Sequence, residues 1–500
     1  MKGIILISYV FLFNFYRKIA LKSFFLMKLI YIPGINKLRK FNGTARAYYN
    51  FSKAKRTVPG YKEFLKSKKF TNPSFKGFIP NLHEIPEIDK ENYIKLYDID
   101  SRCVNGKIPD QEVIIDESSG SSGTATNWVR GFTERNNNAR IINFGIQTLF
   151  GKEPLFIING FALGPWATGV NITMSCVKFS KLKSLGPDKI KIENTLKQFG
   201  TKHKYIVMGY PPFLKMLVDQ SDINWHEYNI SFIFGGESMS EGMRDYLQEK
   251  GIKKIYSSLG ASDLELNISS ENDFTISLRR LIRSNDELKK RILKFTGALP
   301  MVFQFHPSDF LIESSPEGEL IITICRPGYI SPKIRYNIHD RGHVMDLKEL
   351  YQVLDELNID RNLLVTPQTD LPLLFHYGRA DMTISFFGSN ISPVDVNEVI
   401  FLLPELANSV NSFCISINED SEGNKVLIIH LELMKDVSEN VADHTKIELA
   451  FFETLASVNQ DFREAFRMIN NPKQTSIQFH PNGEGPFVNN DIRIKAKYLN

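Results

Sequence analysis

Along the 500-residue chain, short runs of β-branched and aromatic residues alternate with longer stretches whose apolar positions recur every three to four residues. From about residue 113 this alternation is regular. Val113-Ile114-Ile115 reads as a strand, Ile141 to Phe150 as a helix, Pro154 to Ile158 as a strand, Gly186 to Gly200 as a helix and Tyr205 to Met208 as a strand. Pro212 to Asp219 (helix), Ile230 to Phe234 (strand), Ser240 to Lys250 (helix) and Ile255 to Ser257 (strand) continue it. Strands alternating with helices at this spacing predict α/β layering. Between about 300 and 346 the helical period fades, and Glu319 to Ile324 is the clearest strand, which predicts a small strand-rich subdomain. A charged, Gly-containing loop around Phe375 to Gly388 is followed by short strands alternating with helices. The expected fold class is therefore α/β: a large N-terminal domain of layered sheets with that subdomain, plus a small α+β C-terminal domain. The expected divisions are a basic, apolar segment at 1–43, a large domain at 44–376 and a small C-terminal domain at 377–500. Residues 44–68 look helical with a break near Pro59-Gly60.

Composition narrows the class. The chain is 42% hydrophobic and 23% charged, as expected of a globular protein with a large core. With 37 Phe and 18 Tyr but only 3 Trp, that core should be rich in aromatic packing. Cys103, Cys176, Cys325 and Cys414 form no CxxC pair, which fits unpaired thiols in a reducing cytoplasm. The net charge of +5 hides a segregation: residues 1–62 carry 13 Lys or Arg and no acid, so the other 438 residues sum to −8. A nucleic-acid-binding body is excluded, because the basic bias is local. Ile4 to Tyr16 and Ile19 to Ile32 are mostly apolar runs separated by Arg17-Lys18, and neither reaches the ~20 residues that span a bilayer. Tyr16-Arg17-Lys18 is no signal cleavage site. Two readings stay open: a helix docked on the main domain, or a basic amphipathic helix in a membrane interface. The second would give a cytoplasmic protein peripheral membrane contact through residues 1–40.

The strongest chemical signal is Asp116-Glu117-Ser118-Ser119-Gly120-Ser121-Ser122-Gly123-Thr124-Ala125-Thr126, directly after a strand. Six hydroxyl residues and two glycines there can turn successive N–H groups inward as an anion nest and cradle a polyphosphate. No Gly-Lys-Ser/Thr follows, so it is not a Walker A loop.

Together with four later segments, this loop resembles the adenylate-forming superfamily of acyl-CoA synthetases, luciferases and peptide-synthetase adenylation domains. The similar branch is that of the phenylacetate-CoA ligases and their capsule- and antibiotic-cluster relatives, over roughly residues 44–500. Ser118 to Thr126 is similar to the family's phosphate loop, with Thr126 at its Lys position and Ala125 at its Pro position. Phe234-Gly235-Gly236-Glu237-Ser238 resembles the turn that lies against adenine. Tyr256-Ser257-Ser258-Leu259-Gly260-Ala261-Ser262-Asp263 resembles the family's Tyr-Gly-x-Thr-Glu. In it Leu259 stands at an aromatic position near adenine, and Asp263 at the acid that helps hold Mg²⁺ on the ATP phosphates; Glu265 is a nearby substitute. Ile334 to Asp340 resembles the motif whose last Asp accepts hydrogen bonds from the ribose hydroxyls, with His339 where a Gly is usual. Gly378-Arg379-Ala380-Asp381 resembles the motif in which Arg contacts ribose or phosphate and Asp is the hinge; Gly388 to Pro393 and Glu398 continue it. The family's catalytic Lys falls at Lys495, with Lys497 as the second candidate.

The resemblance implies an AMP-forming acid–thiol ligase and makes the small C-terminal domain at 377–500 a mobile lid. A carboxylate displaces pyrophosphate from ATP, and a thiol of coenzyme A or of phosphopantetheine on an acyl carrier protein then takes the acyl group. Phe161 to Gly169, apolar and aromatic, is the expected wall for an aryl or fatty acid. Two other readings remain: an amine or hydroxyl as acceptor of acyl or AMP, and an inactive relative that only binds a nucleotide or a membrane partner.

Overall fold

The computed structural model describes residues 2–117, 126–164, 167–295, 299–379, 384–386, 389–419, 425–435, 437, 444–459, 462–463, 466, 474–488 and 498. Of the sites expected from sequence, the hydroxyl loop Ser118, Ser119, Gly120, Ser121, Ser122, Gly123 and Thr124, the hinge Asp381, and Lys495 and Lys497 lie outside them.

One eleven-stranded sheet carries the large domain. Its first half is parallel, in the order Lys181–Ser184, Leu155–Asn159, Lys204–Gly209, Asn229–Phe234, Ile255–Ala261. Every residue of Leu155–Asn159 is buried, as in a parallel strand covered by helices on both faces. The second half is antiparallel: Glu265–Ser270, Met301–Phe305, Leu373–Arg379, Tyr336–Met345, Glu319–Ile324, Phe310–Ser314. Ile255–Ala261 is the seam, parallel to one neighbour and antiparallel to the other. The expected α/β layering and the strand-rich portion after residue 300 are both present. The core is aromatic, with Tyr205, Phe213, Phe232, Phe234 and Phe303 among its largest buried side chains. All four cysteines are buried.

A separate core, including Phe386, Val399, Leu431, Phe451 and Leu455, holds the small domain. There Val410–Glu419 and Lys425–Leu433 pair antiparallel, Thr475–His480 adds a parallel strand, and helices Pro393–Leu402 and His444–Val458 pack on the sheet. The large sheet extends to Arg379, within the charged stretch where the sequence pattern changes. Leu373–Arg379 is a full strand of the large sheet, so a boundary at 376/377 would cut a hydrogen-bonded ladder.

The N-terminal segment is likewise not a separate unit. Helix α1 (Lys2–Ala20) runs straight through Arg17-Lys18, because Arg17 turns inward and gives Nη2 to both oxygens of the buried Asp309, at 2.7 and 2.6 Å. Leu6 and Val10 join the main core. Helix α2 (Phe24–Ile30) follows, and α3 (Asn36–Thr57) crosses the expected boundary at 43/44 and stops before Pro59. At 19 residues α1 is long and apolar enough to cross a membrane by length and composition alone.

Candidate active site

At the seam of the sheet, a cavity of about 510 Å³ opens toward the C-terminal ends of the parallel strands. The turn after Asn229–Phe234 forms one wall through Gly235 and Gly236. Gly236 has φ +83°, and a Cβ there would lie 2.3 Å from Tyr210 Cε1. Only glycine meets both demands. A Cβ at Gly235 would come within 2.9 Å of the Ser258 carbonyl.

The seam strand supplies the next wall. Ser258 and Gly260 line the cavity, and Ser258 Oγ donates to Asn267 Oδ1 at 3.1 Å. Leu259 does not: its side chain packs on the main core instead. This corrects its assignment as an adenine contact. Ser262 and Asp263 follow on the turn into Glu265–Ser270, closed by the Leu264 N–H to Ala261 carbonyl bond. Asp263 Oδ2 accepts from the Tyr336 hydroxyl at 2.9 Å and pairs with Lys90 Nζ at 3.1 Å. Among the described residues Oδ1 has no protein partner. Glu265, the substitute for Asp263, is committed elsewhere: it is buried, accepting from the Tyr329 hydroxyl at 2.6 Å and Asn138 Nδ2 at 3.2 Å.

Asp340 and Arg379 are direct partners across neighbouring antiparallel strands, and both line the cavity. Cross-strand partners project to the same face with Cβ atoms about 5 Å apart, so two motifs 39 positions apart in sequence meet as one unit. His376 Nε2 lies 2.9 Å from Asp340 Oδ2 and, facing an acceptor, carries the proton there. Oδ1 is left without a protein partner among the described residues. The histidine at the usual glycine position adopts the glycine conformation: His339 has φ +59°. It is held by its N–H to Asn337 Oδ1 at 2.8 Å and by Nδ1 beside Glu319 Oε2 at 3.1 Å.

Beyond these groups the cavity turns apolar, lined by Ile142, Phe144, Leu149, Phe161, Ile172 and Met208. Phe161 and Thr168, from the segment expected to wall the acid, line the cavity; Pro165 and Trp166 lie outside the described residues. Tyr31, Asp309 and His306 close this end. Burial pushes His306 down to about 3, so its ring is neutral at physiological pH. Burial and Asp309 push the Tyr31 hydroxyl up to about 12.

The small domain reaches the same edge. The Tyr498 hydroxyl donates to Glu237 Oε2 at 2.8 Å, so Glu237 meets the C-terminal segment instead of lining the cavity. Glu398 accepts from the Gly242 N–H at 3.2 Å and pairs with Arg283 at 2.5 Å. Sequence reasoning missed Lys90, His376, Tyr31 and Tyr498. None sits in a motif; each is brought in by tertiary packing. Among the described residues no three His, Cys, Asp or Glu cluster as a ready-made metal site.

No protein-family model matches the chain, and no curated protein matches it in sequence. Solved structures do. 2-Hydroxyisobutyryl-CoA ligase in the postadenylation state, in complex with R3-HIB-AMP, aligns with a TM-score of 0.64 at 13% identity, over 93% of this chain and 90% of that one. The same ligase with 2-HIB-AMP gives 0.64 at 13% identity, over 94% and 90%. Its open conformation with 2-HIB-AMP and CoA gives 0.52 at 12%, over 94% and 92%. At this identity the likeness shows the fold alone: over nearly its whole length the chain folds like this CoA ligase.

Proposed function

We propose that the protein is an ATP-dependent acid-activating ligase of the phenylacetate-CoA ligase kind. It forms an acyl- or aryl-adenylate with release of pyrophosphate, then passes the acyl group to the thiol of coenzyme A or of a carrier-protein phosphopantetheine. The observation that carries this reading is convergence. The Gly235-Gly236 turn, the Ser258–Asp263 segment and the Asp340/Arg379 pair come from distant stretches and line one cavity with a polar end and an apolar end.

Adenine would lie against the glycine turn, where the missing Cβ atoms admit a flat ring. Asp340, fixed by His376, offers Oδ1 to the ribose hydroxyls, and Arg379 beside it supplies positive charge. The acid would occupy the apolar end, its carboxylate meeting the α-phosphorus where the two ends join. In-line displacement at phosphorus needs positioning and charge neutralisation more than covalent help. The hydroxyl loop Ser118–Thr126, Lys495 or Lys497, and Mg²⁺ held on the phosphates would neutralise the developing charge. Asp263 suits that ion, because Mg²⁺ is bound through one or two carboxylates with phosphate and water completing the shell. Tyr498 follows Lys497 and contacts Glu237, which supports a C-terminal lysine closing over the site. The small domain would then turn about Asp381 to admit the thiol. The body of the protein is assigned to the cytoplasm.

The test is carboxylate-dependent ATP–pyrophosphate exchange with a panel of aryl and fatty acids. Exchange should require one acid class. Asp340→Ala should raise KM for ATP about 10- to 100-fold, the worth of a charge-assisted hydrogen-bond pair of about 1.5–3 kcal/mol. ATP binding without exchange for any acid would overturn the proposal.

A further inference from the structure

Helix α1 has two apolar faces of different fate. The inner one, with Leu6, Val10 and Ala20, is buried. The outer one carries Ile4, Phe11, Leu12, Phe15 and Ile19, spaced three, four and seven apart along one side and each 45–74% exposed. On α2, Phe25 and Leu29 extend the exposed apolar surface at 69% and 40%. Scattered exposed apolar residues are ordinary, but a continuous stripe of large ones marks an interaction surface.

The charges around it divide by residue type. The arginines turn inward and are neutralised: Arg17 and Arg46 on Asp309, and Arg39 on Asp370. Lys2, Lys18, Lys22, Lys28 and Lys37 stay exposed, with no ion pair among the described residues. No acid occurs before Glu63. The surface is thus apolar in its middle, basic at its margins and free of negative charge from its own segment.

We infer that the outer face of α1 and α2 seats the protein on an anionic lipid bilayer. Large apolar side chains would enter the headgroup–acyl boundary while long lysine stems let their amines reach lipid phosphates. A second copy of the chain fits poorly, because a two-fold contact sets the same patch against itself and would oppose lysine to lysine. Spanning the bilayer fits poorly too, because it would strip Arg17 from Asp309 and pull Leu6 and Val10 out of the core.

The placement has a consequence for the cavity. Tyr31, next to the end of α2, lines the cavity, and its ring lies 4.8 Å from that of Phe144, another lining residue; Phe24 lies 5.1 Å from the same ring. The apolar end of the cavity is thus separated from the proposed membrane face by about one helix diameter, ~10 Å. An acid dissolved in the bilayer would be the nearest substrate. The docking itself stands whether or not the chain is a ligase.

Flotation of the full chain with vesicles tests it. The protein should float with phosphatidylglycerol-containing vesicles and roughly tenfold less with pure phosphatidylcholine, with added salt reducing the difference. Phe11→Glu/Phe15→Glu should lower partitioning roughly tenfold or more, with an unchanged melting curve because both rings are exposed. Three results would overturn the inference: no flotation with anionic vesicles at low salt, equal flotation of the double variant, or a solution dimer that the double variant splits.

Discussion

Replacing Lys333 with Met should stabilise the large domain at neutral pH. Lys333 is 1% exposed, and among the described residues no carboxylate pairs with it. Among the described residues its amine donates to the Ser331 carbonyl and hydroxyl, at 3.4 and 3.2 Å, and it stands 4.9 Å from the Trp128 ring centre. Burial first, then Arg130 and Arg102, push it from 10.5 down to about 7, against the opposing pull of Asp263 and Glu134. Between those two values the unfolded chain holds a proton that the folded chain has released. Stability therefore rises with pH across the interval, and the cost of burying the amine is greatest below about 7. The lowering from 10.5 to about 7 corresponds to about 5 kcal/mol as an upper bound. The Trp128 face returns about 1–2 kcal/mol to the charged form. Lys333→Met, which keeps the length and removes the charge, should then gain about 3 kcal/mol at pH 7. Urea unfolding followed by tryptophan emission reads this, since Trp128, Trp166 and Trp225 all precede the domain junction. The variant's advantage should shrink as pH rises and vanish near 10.5. An advantage independent of pH, or a less stable variant at pH 7, would refute the reasoning.

Gly236→Val should lose ATP affinity and about 1–3 kcal/mol of stability, because its side chain meets Tyr210 at a left-handed backbone position; unchanged ATP binding by calorimetry would contradict the tight turn. Tyr498→Phe removes one hydroxyl from the junction with Glu237, a bond to a charged acceptor worth about 1.5–3 kcal/mol. Limited proteolysis between the domains should accelerate, and an unchanged rate would show that the Glu398 contacts hold the junction alone.

Much of the large domain is legible in the sequence because its parallel strands are short, continuous apolar runs between helices of clear period. The Gly235-Gly236 turn and the Asp340 and Arg379 motifs are legible for a related reason: each needs a residue type that backbone geometry or ligand chemistry restricts. Leu259 shows the limit. Its side chain packs on the main core, and that packing overrides any likeness to an aromatic position. His339 shows another: a histidine took the left-handed conformation because Asn337 and Glu319 hold it, and neither partner is visible from the local motif. Lys90 and His376 became site residues only through pairing with Asp263 and Asp340. The boundary near 43 failed because the inward arginines of α1 and α3 share one buried acid, Asp309, nearly 300 positions away from Arg17.

The position of the cavity follows from the sheet. Helix-covered parallel strands end in turns on one edge, and ligands of open α/β sheets bind outside those carboxyl ends. Here the parallel run stops at Ile255–Ala261, and the next strand reverses. The reversal puts Ser262 and Asp263 on a tight turn at that edge and lets the antiparallel half bring Asp340 and Arg379 up to it. Arg379 is also the last residue of its strand, and the small domain begins a few positions later. A nucleotide that held Arg379, as proposed, would therefore tie down the root of the small domain. Tyr498 and Glu398 meet the large domain at Glu237 and Gly242, on the far side of the glycine turn. On the proposed function, nucleotide contact and domain contact would meet at the same edge of the sheet, and Arg379 would link departure of pyrophosphate to movement of the small domain.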